Sequence, residues 1–209
     1  MKIMILSDFH GVARFAEKMR DLAVSQKFDC IVVCGDLTDL GPVKVARQII
    51  GTLSESKLPV LYVPGNMDPR NLVDELDSGF HVHGRGKIIG DVGFVGAGSY
   101  SNLKGLLEQG LKSLVKTPRF LVFVTHVPPK GTKVDLAWDG SHIGSLEVRE
   151  AVEKYKPNLV VCGHVHEARG VDRIGESVVC NPGPAYNGFY AEVFLDEKVK
   201  VKLLSLKTV

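Results

Sequence analysis

The chain has 209 residues, 44% of them hydrophobic and 24% charged, a size and balance that suit one well-buried core read as a single domain over residues 1–209. Lys plus Arg number 26 against 24 Asp plus Glu, and a formal charge of +2 is too weak to mark a nucleic-acid surface or an anionic membrane. No apolar run approaches the ~18 residues needed to span a bilayer.

In chain order, Lys2 to Ser7 reads as a buried strand that breaks at Asp8-Phe9-His10-Gly11. Val12, Phe15, Ala16, Met19, Leu22 and Ala23 then recur at helical spacing. A second strand, Cys30 to Cys34, ends at Gly35-Asp36. Pro42 suits a helix start, and Val45, Ala46, Ile49, Ile50 and Leu53 form the stripe behind it. Pro59 to Val63 is a third strand, ending at Gly65-Asn66-Met67-Asp68. This β-α-β-α-β order implies a parallel sheet.

The middle of the chain changes character. Lys87–Ile89 and Val92–Val95 flank Gly90-Asp91 as a hairpin, and Leu103 to Val115 reads as an amphipathic helix. Phe120 to Thr125 is a strand ending at His126. A long loop, Lys130 to Gly144, carries Trp138 and His142, and loops of that length in a compact domain are usually functional. A helix over Leu146–Lys154, capped by Ser145, leads to a strand at Leu159–Cys162 and then to Gly163-His164-Val165-His166. Ser177–Cys180, Phe189–Leu195 and Lys198–Leu204 complete the strands. Parallel units followed by antiparallel ones predict either a mixed sheet or two packed sheets, with helices outside.

Met1 to Leu6 is too short an apolar run for a signal peptide, so the expected location is the cytoplasm. Cys30, Cys34, Cys162 and Cys180 sit in or beside apolar strands without the spacing of a disulfide framework. They read as small buried hydrophobes rather than as ligands.

Seven groups that bind hard or borderline cations stand at strand ends: Asp8, His10, Asp36, Asn66, His126, His164 and His166. Residues i and i+2 of an extended chain share a side, so Asp8/His10 and His164/His166 each offer a pair. In α/β sheets, sites form beyond the carboxyl ends of the strands. Carboxylates, imidazoles and one amide, without thiolate, suit Mn, Fe or Zn. Seven groups exceed one Zn²⁺ and match two ions sharing a carboxylate, the usual device for cleaving phosphoesters.

Asp-x-His, Gly-Asp, Gly-Asn-x-Asp, a His after a strand and Gly-His-x-His, in this order from Asp8 to His166, resemble the signature of the calcineurin-like metallophosphoesterases. Thr125-His126-Val127-Pro128-Pro129 and Asn181-Pro182-Gly183 are similar to segments of its small prokaryotic, phosphodiesterase-like members. The resemblance implies an α/β fold, a four-layer α/β/β/α sandwich of two mixed sheets. It implies two divalent metals, Mn first, with Fe, Ni or Zn as alternatives. Asp8, His10 and His166 would hold one ion, Asn66, His126 and His164 the other. Asp36 would bridge them opposite a nucleophilic hydroxide, acting on a small-molecule phosphoester.

One departure stands out. Many family members carry His where this chain has Met67, and a thioether cannot protonate a leaving oxygen. A positioned general acid is worth ~10²–10⁴-fold. Its loss predicts a preference for phosphodiesters or activated aryl esters over alkyl monoesters, with Asp68 losing its His partner. His142 is read either as surface or as the substitute acid at the site's rim. His81 and His83 are expected at the surface. The competing readings are a non-catalytic scaffold of the same fold, which Met67 favours, and a nuclease, which would need a basic, aromatic-lined groove that the dispersed charges do not suggest. Oligomerisation is compatible with the sequence but not specified by it.

Overall fold

The structure, a computed structural model, describes residues 1–98 and 102–206. The first half of the chain supplies β1 (Lys2–Leu6), α1 (Ala16–Ser25), β2 (Cys30–Val33), α2 (Val43–Ser54), β3 (Val60–Tyr62), the single turn α3 (Leu72–Glu75) and β4 (Phe80–His81). There follow β5 (Gly86–Ile89), β6 (Val92–Ala97), α4 (Leu103–Lys112), β7 (Phe120–Thr125), α5 (Leu146–Tyr155) and β8 (Leu159–Val161). The end is all strand: β9 (Gly170–Ile174), β10 (Ser177–Asn181), β11 (Phe189–Leu195) and β12 (Val199–Ser205).

These strands form two six-stranded sheets, ordered β12-β11-β1-β2-β3-β4 and β5-β6-β7-β8-β10-β9. β1 to β4 run parallel, as do β6, β7, β8 and β10, while β11, β12, β5 and β9 add antiparallel edges. Strand runs such as Ile3-Met4-Ile5-Leu6 are apolar throughout because both faces are covered. Ile3 and Ile5 pack with Val32, Leu61, Phe94, Val122 and Val161 in a core between the sheets. Met4 and Leu6 belong to an outer core with Met19, Ala23, Ile49 and Leu53 of α1 and α2. Phe123 and Val160 do the same against Leu107 of α4 and Val148 and Val152 of α5. Three apolar layers between four layers of secondary structure give the α/β/β/α sandwich of two mixed sheets, the architecture expected from the sequence.

The structure adds what the apolar patterns did not reveal. β4 has two residues and β9, Gly-Val-Asp-Arg-Ile, is half polar, so neither gave a strand signal. α1 begins at Ala16 rather than Val12, after a 3-10 turn over Ala13–Phe15. α4 ends at Lys112, and Val115 is 92% exposed. Ser145 caps α5 as expected, its side chain accepting from the Val148 N–H at 3.3 Å. His81 and His83, expected at the surface, are half-buried. β4 seats His81 on the edge of the first sheet, where its ring packs against Tyr62, while His83 bridges to Gly96 of β6 and its Nδ1 accepts from the Gly98 N–H. All four cysteines are free and buried. Among the described residues, no helix is long and apolar enough to cross a membrane.

One charge is built into this framework. Glu192, in the middle of β11, is 6% exposed and lies between Lys2 Nζ at 2.9 Å and Lys202 Nζ at 3.3 Å. Burial works to raise its carboxyl, but the two ammonium groups outweigh burial and hold it below its ordinary 4.5. Its contribution to stability is therefore present above about pH 4.5 and lost as pH falls through the lowered value. Glu192→Gln should cost about 1.5–3 kcal/mol at pH 7. In urea titrations the gap between variant and parent should close as the pH is lowered to about 3.

Candidate metal centre

The carboxyl ends of β1, β2, β3, β7 and β8 meet at one edge of the sandwich, and the loops leaving them are laced together. The N–H groups of Asp8, His10 and Gly11 donate to the carbonyls of Gly35, Asp36 and Leu37 at 2.9–3.0 Å. Gly163 N–H donates to His126 O at 2.9 Å, joining the loops after β7 and β8. The backbone is bent to this purpose. Asp8 (φ 56°), His10 (45°), Asp36 (51°) and His164 (69°) all adopt the left-handed conformation that non-glycine residues avoid. Each such residue costs roughly 1–2 kcal/mol, and four in one site mark strain retained for function.

The side chains converge accordingly. Asp36 Oδ2 lies 3.6 Å from His10 Nε2 and 3.3 Å from His126 Nε2. Its other oxygen, Oδ1, accepts the Met67 N–H at 2.8 Å, which leaves Oδ2 free to point inward. Asp8 Oδ1 is 3.4 Å from His166 Nε2 and 3.9 Å from His10 Nε2, and those two imidazole nitrogens are 3.2 Å apart. Asn66 Oδ1 is 2.8 Å from His126 Nε2. The His164 ring stands edge-on to His126 at 5.1 Å, and the His164 backbone N–H donates to Asp8 Oδ1 at 3.2 Å. Two triads have ligand atoms within 4.8 Å of one another, Asp8/His10/His166 and Asp8/Asp36/His126. All seven residues singled out in the sequence thus share one site.

The chemistry of this donor set fits a cation. Asp8 and Asp36 are 1% and 2% exposed, and His126 is fully buried. His126 Nδ1–H donates to Cys34 O at 2.7 Å, which turns Nε2 toward the oxygens of Asp36 and Asn66. An imidazole lone pair facing two oxygen acceptors is repulsive unless a proton or a cation lies between them. Without a cation the proton must stay. Burial alone would push His126 down, but the hydrogen bond and charge of Asp36, with Asp8 behind it, raise it to about 9. Burial also works to raise Asp8, and the His166 hydrogen bond with the His126 and His166 charges brings it lower. His164 moves the other way, pushed down by burial and by the His126 charge.

Glycine spacing in the motifs follows from crowding. A Cβ on Gly65 would overlap Asp36 Oδ1 and N, and one on Gly163 would overlap Ser7 Oγ and Asp8 Oδ2. The Gly65-Asn66-Met67-Asp68 turn is held through its last residue. Asp68, 5% exposed, accepts from the N–H groups of Gly65 (2.8 Å), Thr38 (2.7 Å) and Leu37 (3.2 Å). Burial raises its carboxyl against those three donors.

His142 makes none of the contacts that join the seven. Its Nδ1 lies 2.8 Å from Oδ1 of Asp135, a wholly buried carboxylate that also accepts from Gly131, Thr132 and Gly144. Sequence reasoning missed Asp135, whose only signal was the Thr132-x-x-Asp135 spacing of a capping box. It also missed Tyr186, whose hydroxyl is 3.1 Å from His166 Nδ1. Gly163→Ala should destabilise the chain by about 1–3 kcal/mol, the usual cost of overpacking. Thermal unfolding would read that loss, whereas Gly51→Ala, inside α2 with open space for a Cβ and no left-handed backbone, should cost nothing.

Comparison with known proteins agrees with this geometry. A sequence profile described as the calcineurin-like phosphoesterase superfamily domain matches residues 1–194. The chain is 33% identical over 200 residues to the uncharacterized protein MJ1162 of Methanocaldococcus jannaschii, covering 88% of each. Its fold is similar to TT1561 of Thermus thermophilus, with a TM-score of 0.74 and 22% identity over 98% of each chain. It is also similar to an archaeal protein described as a novel phosphodiesterase, with a TM-score of 0.61 and 16% identity over 99% of this chain and 100% of the other. A profile match over most of the length, joined to a relative at 33% identity, settles descent: the chain belongs to the calcineurin-like phosphoesterase superfamily.

Proposed function

We propose that the chain is a metal-dependent phosphoester hydrolase, acting as one domain on small phosphodiesters in preference to alkyl monoesters. The observation that carries this reading is the convergence of two buried carboxylates, an amide oxygen and four imidazoles on one sheet edge. In this reading Asp8, His10 and His166 hold one divalent ion. Asn66, His126 and His164 hold a second, and Asp36 serves both, Mn being the first choice of metal. Bound there, such ions would neutralise phosphate oxygens and lower the pKa of water to supply a nucleophile at neutral pH.

The protein's own part is to hold and aim. The Met67 N–H fixes one Asp36 oxygen so that the other faces both ligand sets. Cys34 O holds the His126 proton on Nδ1 and thereby presents Nε2. Proton donation to the leaving oxygen is the weak point, because Met67 has no proton to give. Aryl esters, whose leaving groups need no proton, should suffer least. Alkyl monoesters, whose alkoxide must leave a dianion, should suffer most.

For alkyl diesters we assign the donor role to His142. The loop that carries it is rooted just beyond His126, where Ser145 N–H donates to Pro128 O at 2.8 Å. Its tip is tied to the residue after His166, the Trp138 N–H donating to Glu167 Oε1 at 3.2 Å. Asp135 takes up Nδ1, so Nε2 is the nitrogen left to work.

The purified protein, stripped of metal and reloaded with Mn²⁺, should hydrolyse aryl diesters faster than alkyl diesters, and alkyl monoesters slowest. Asp36→Ala should abolish all three and lower metal content. Equal turnover of alkyl mono- and diesters would refute the preference, and turnover unaffected by chelators would refute the metal. His142→Ala should cut alkyl-diester turnover by ~10²-fold or more while sparing aryl diesters. An equal effect on both, or none, would remove His142 from the mechanism.

A further inference from the structure

We propose that Tyr186 is a positioning residue of the metal centre, and that its hydroxyl accepts the Nδ1–H hydrogen bond of His166. This rests on the metal-binding reading of the site. His166 turns Nε2 toward Asp8 Oδ1 (3.4 Å) and His10 Nε2 (3.2 Å), so Nε2 is the nitrogen offered to a cation. A ligating imidazole must carry its proton on the other nitrogen and needs an acceptor for it. For His126 that acceptor is the buried Cys34 carbonyl. For His166, the acceptor found among the described residues is the Tyr186 hydroxyl, 3.1 Å from Nδ1.

The phenol ring also fixes the pair of imidazoles. It stands edge-on to His166 (centroids 5.5 Å apart, 76°) and to His10 (5.7 Å, 71°), while those two rings meet at 5.0 Å. Three rings in mutual contact leave His166 little freedom to turn about its side-chain bonds.

The backbone holds Tyr186 in that position from both sides. Ala185 N–H donates to Ser7 O at 2.7 Å, and Tyr186 N–H to Asp8 O at 3.3 Å, which fastens the turn to the loop after β1. Asn181, wholly buried, donates through Nδ2 to Val165 O at 2.8 Å, between His164 and His166. Its Oδ1 accepts the Gly183 N–H at 2.9 Å. The Asn181-Pro182-Gly183-Pro184-Ala185-Tyr186 segment is thus a clasp between the first and last ligand motifs, with the tyrosine hydroxyl at its working end.

The test is calorimetric titration of metal-free parent, Tyr186→Phe and His166→Ala with Mn²⁺, with bound metal counted independently and thermal midpoints of the metal-free proteins recorded. The parent should bind two ions. Tyr186→Phe should keep the metal-free midpoint, bind one ion with unchanged affinity and bind the other ~10–100-fold more weakly. The weakened ion should be the one lost outright in His166→Ala. Parental affinity for both ions in Tyr186→Phe would overturn the inference and leave the metal site standing. So would an equal weakening of both ions, or a lowered metal-free midpoint, since either means a general structural role. A parent that binds no Mn²⁺ would instead refute the metal site itself.

Discussion

Two carboxylates buried as completely as Asp8 and Asp36 cannot stand uncompensated, because an ionised group removed from water must be paired or must give up its charge. Among the described residues, the fold meets that requirement with imidazoles and not with Lys or Arg, and the difference has a chemical meaning. An ammonium or guanidinium would neutralise the carboxylates permanently. An imidazole can do so with a proton or can release it, and then the same nitrogen joins the carboxylates as a ligand. The raised His126 and the lowered Asp8 are two sides of one site that balances its charge with protons. Four of the seven converging residues, Asp8, His10, Asp36 and His164, are held in left-handed backbone.

The sheet topology explains why one edge can collect so many groups. Asp8, Asp36 and Asn66 follow three neighbouring parallel strands of the first sheet, and His126 and His164 follow two of the second. The sheets pack face to face, and their loops join at this end through His126 to Cys34 O and Asn66 and through the His164 N–H to Asp8. Antiparallel strands are confined to the flanks, β11 and β12 on the outer side of β1, and β5 and β9 at the two edges of the second sheet.

Much of this was legible in the sequence, for definite reasons. Buried parallel strands are near-continuous apolar runs, so β1, β2, β7 and β8 announced themselves, and the ligands stood just beyond each run. β4 and β9 escaped because pairing at a sheet edge needs neither length nor apolarity. Asp135 and Tyr186 escaped for another reason. Their significance lies in which atom of a distant histidine they touch, and no local pattern encodes a contact between Tyr186 and His166, or tells that Asp135 is wholly buried inside a polar loop. The same limit applied to Asp68. The motif had Asp68 losing its His partner, whereas in the fold its carboxylate accepts from three backbone amides that no local pattern announces.

The ligand loops also bear on how this chain is closed. It has no disulfide, and its four thiols are free. Yet His10 and His166 meet although 156 positions apart in the sequence, and an ion held by both would join the two sheets at their shared edge. The entropy of closing so long a loop is then borne partly by coordination, as a disulfide would bear it in an oxidising compartment. A metal at this site is in that sense a reversible cross-link, formed and released without any change of redox state.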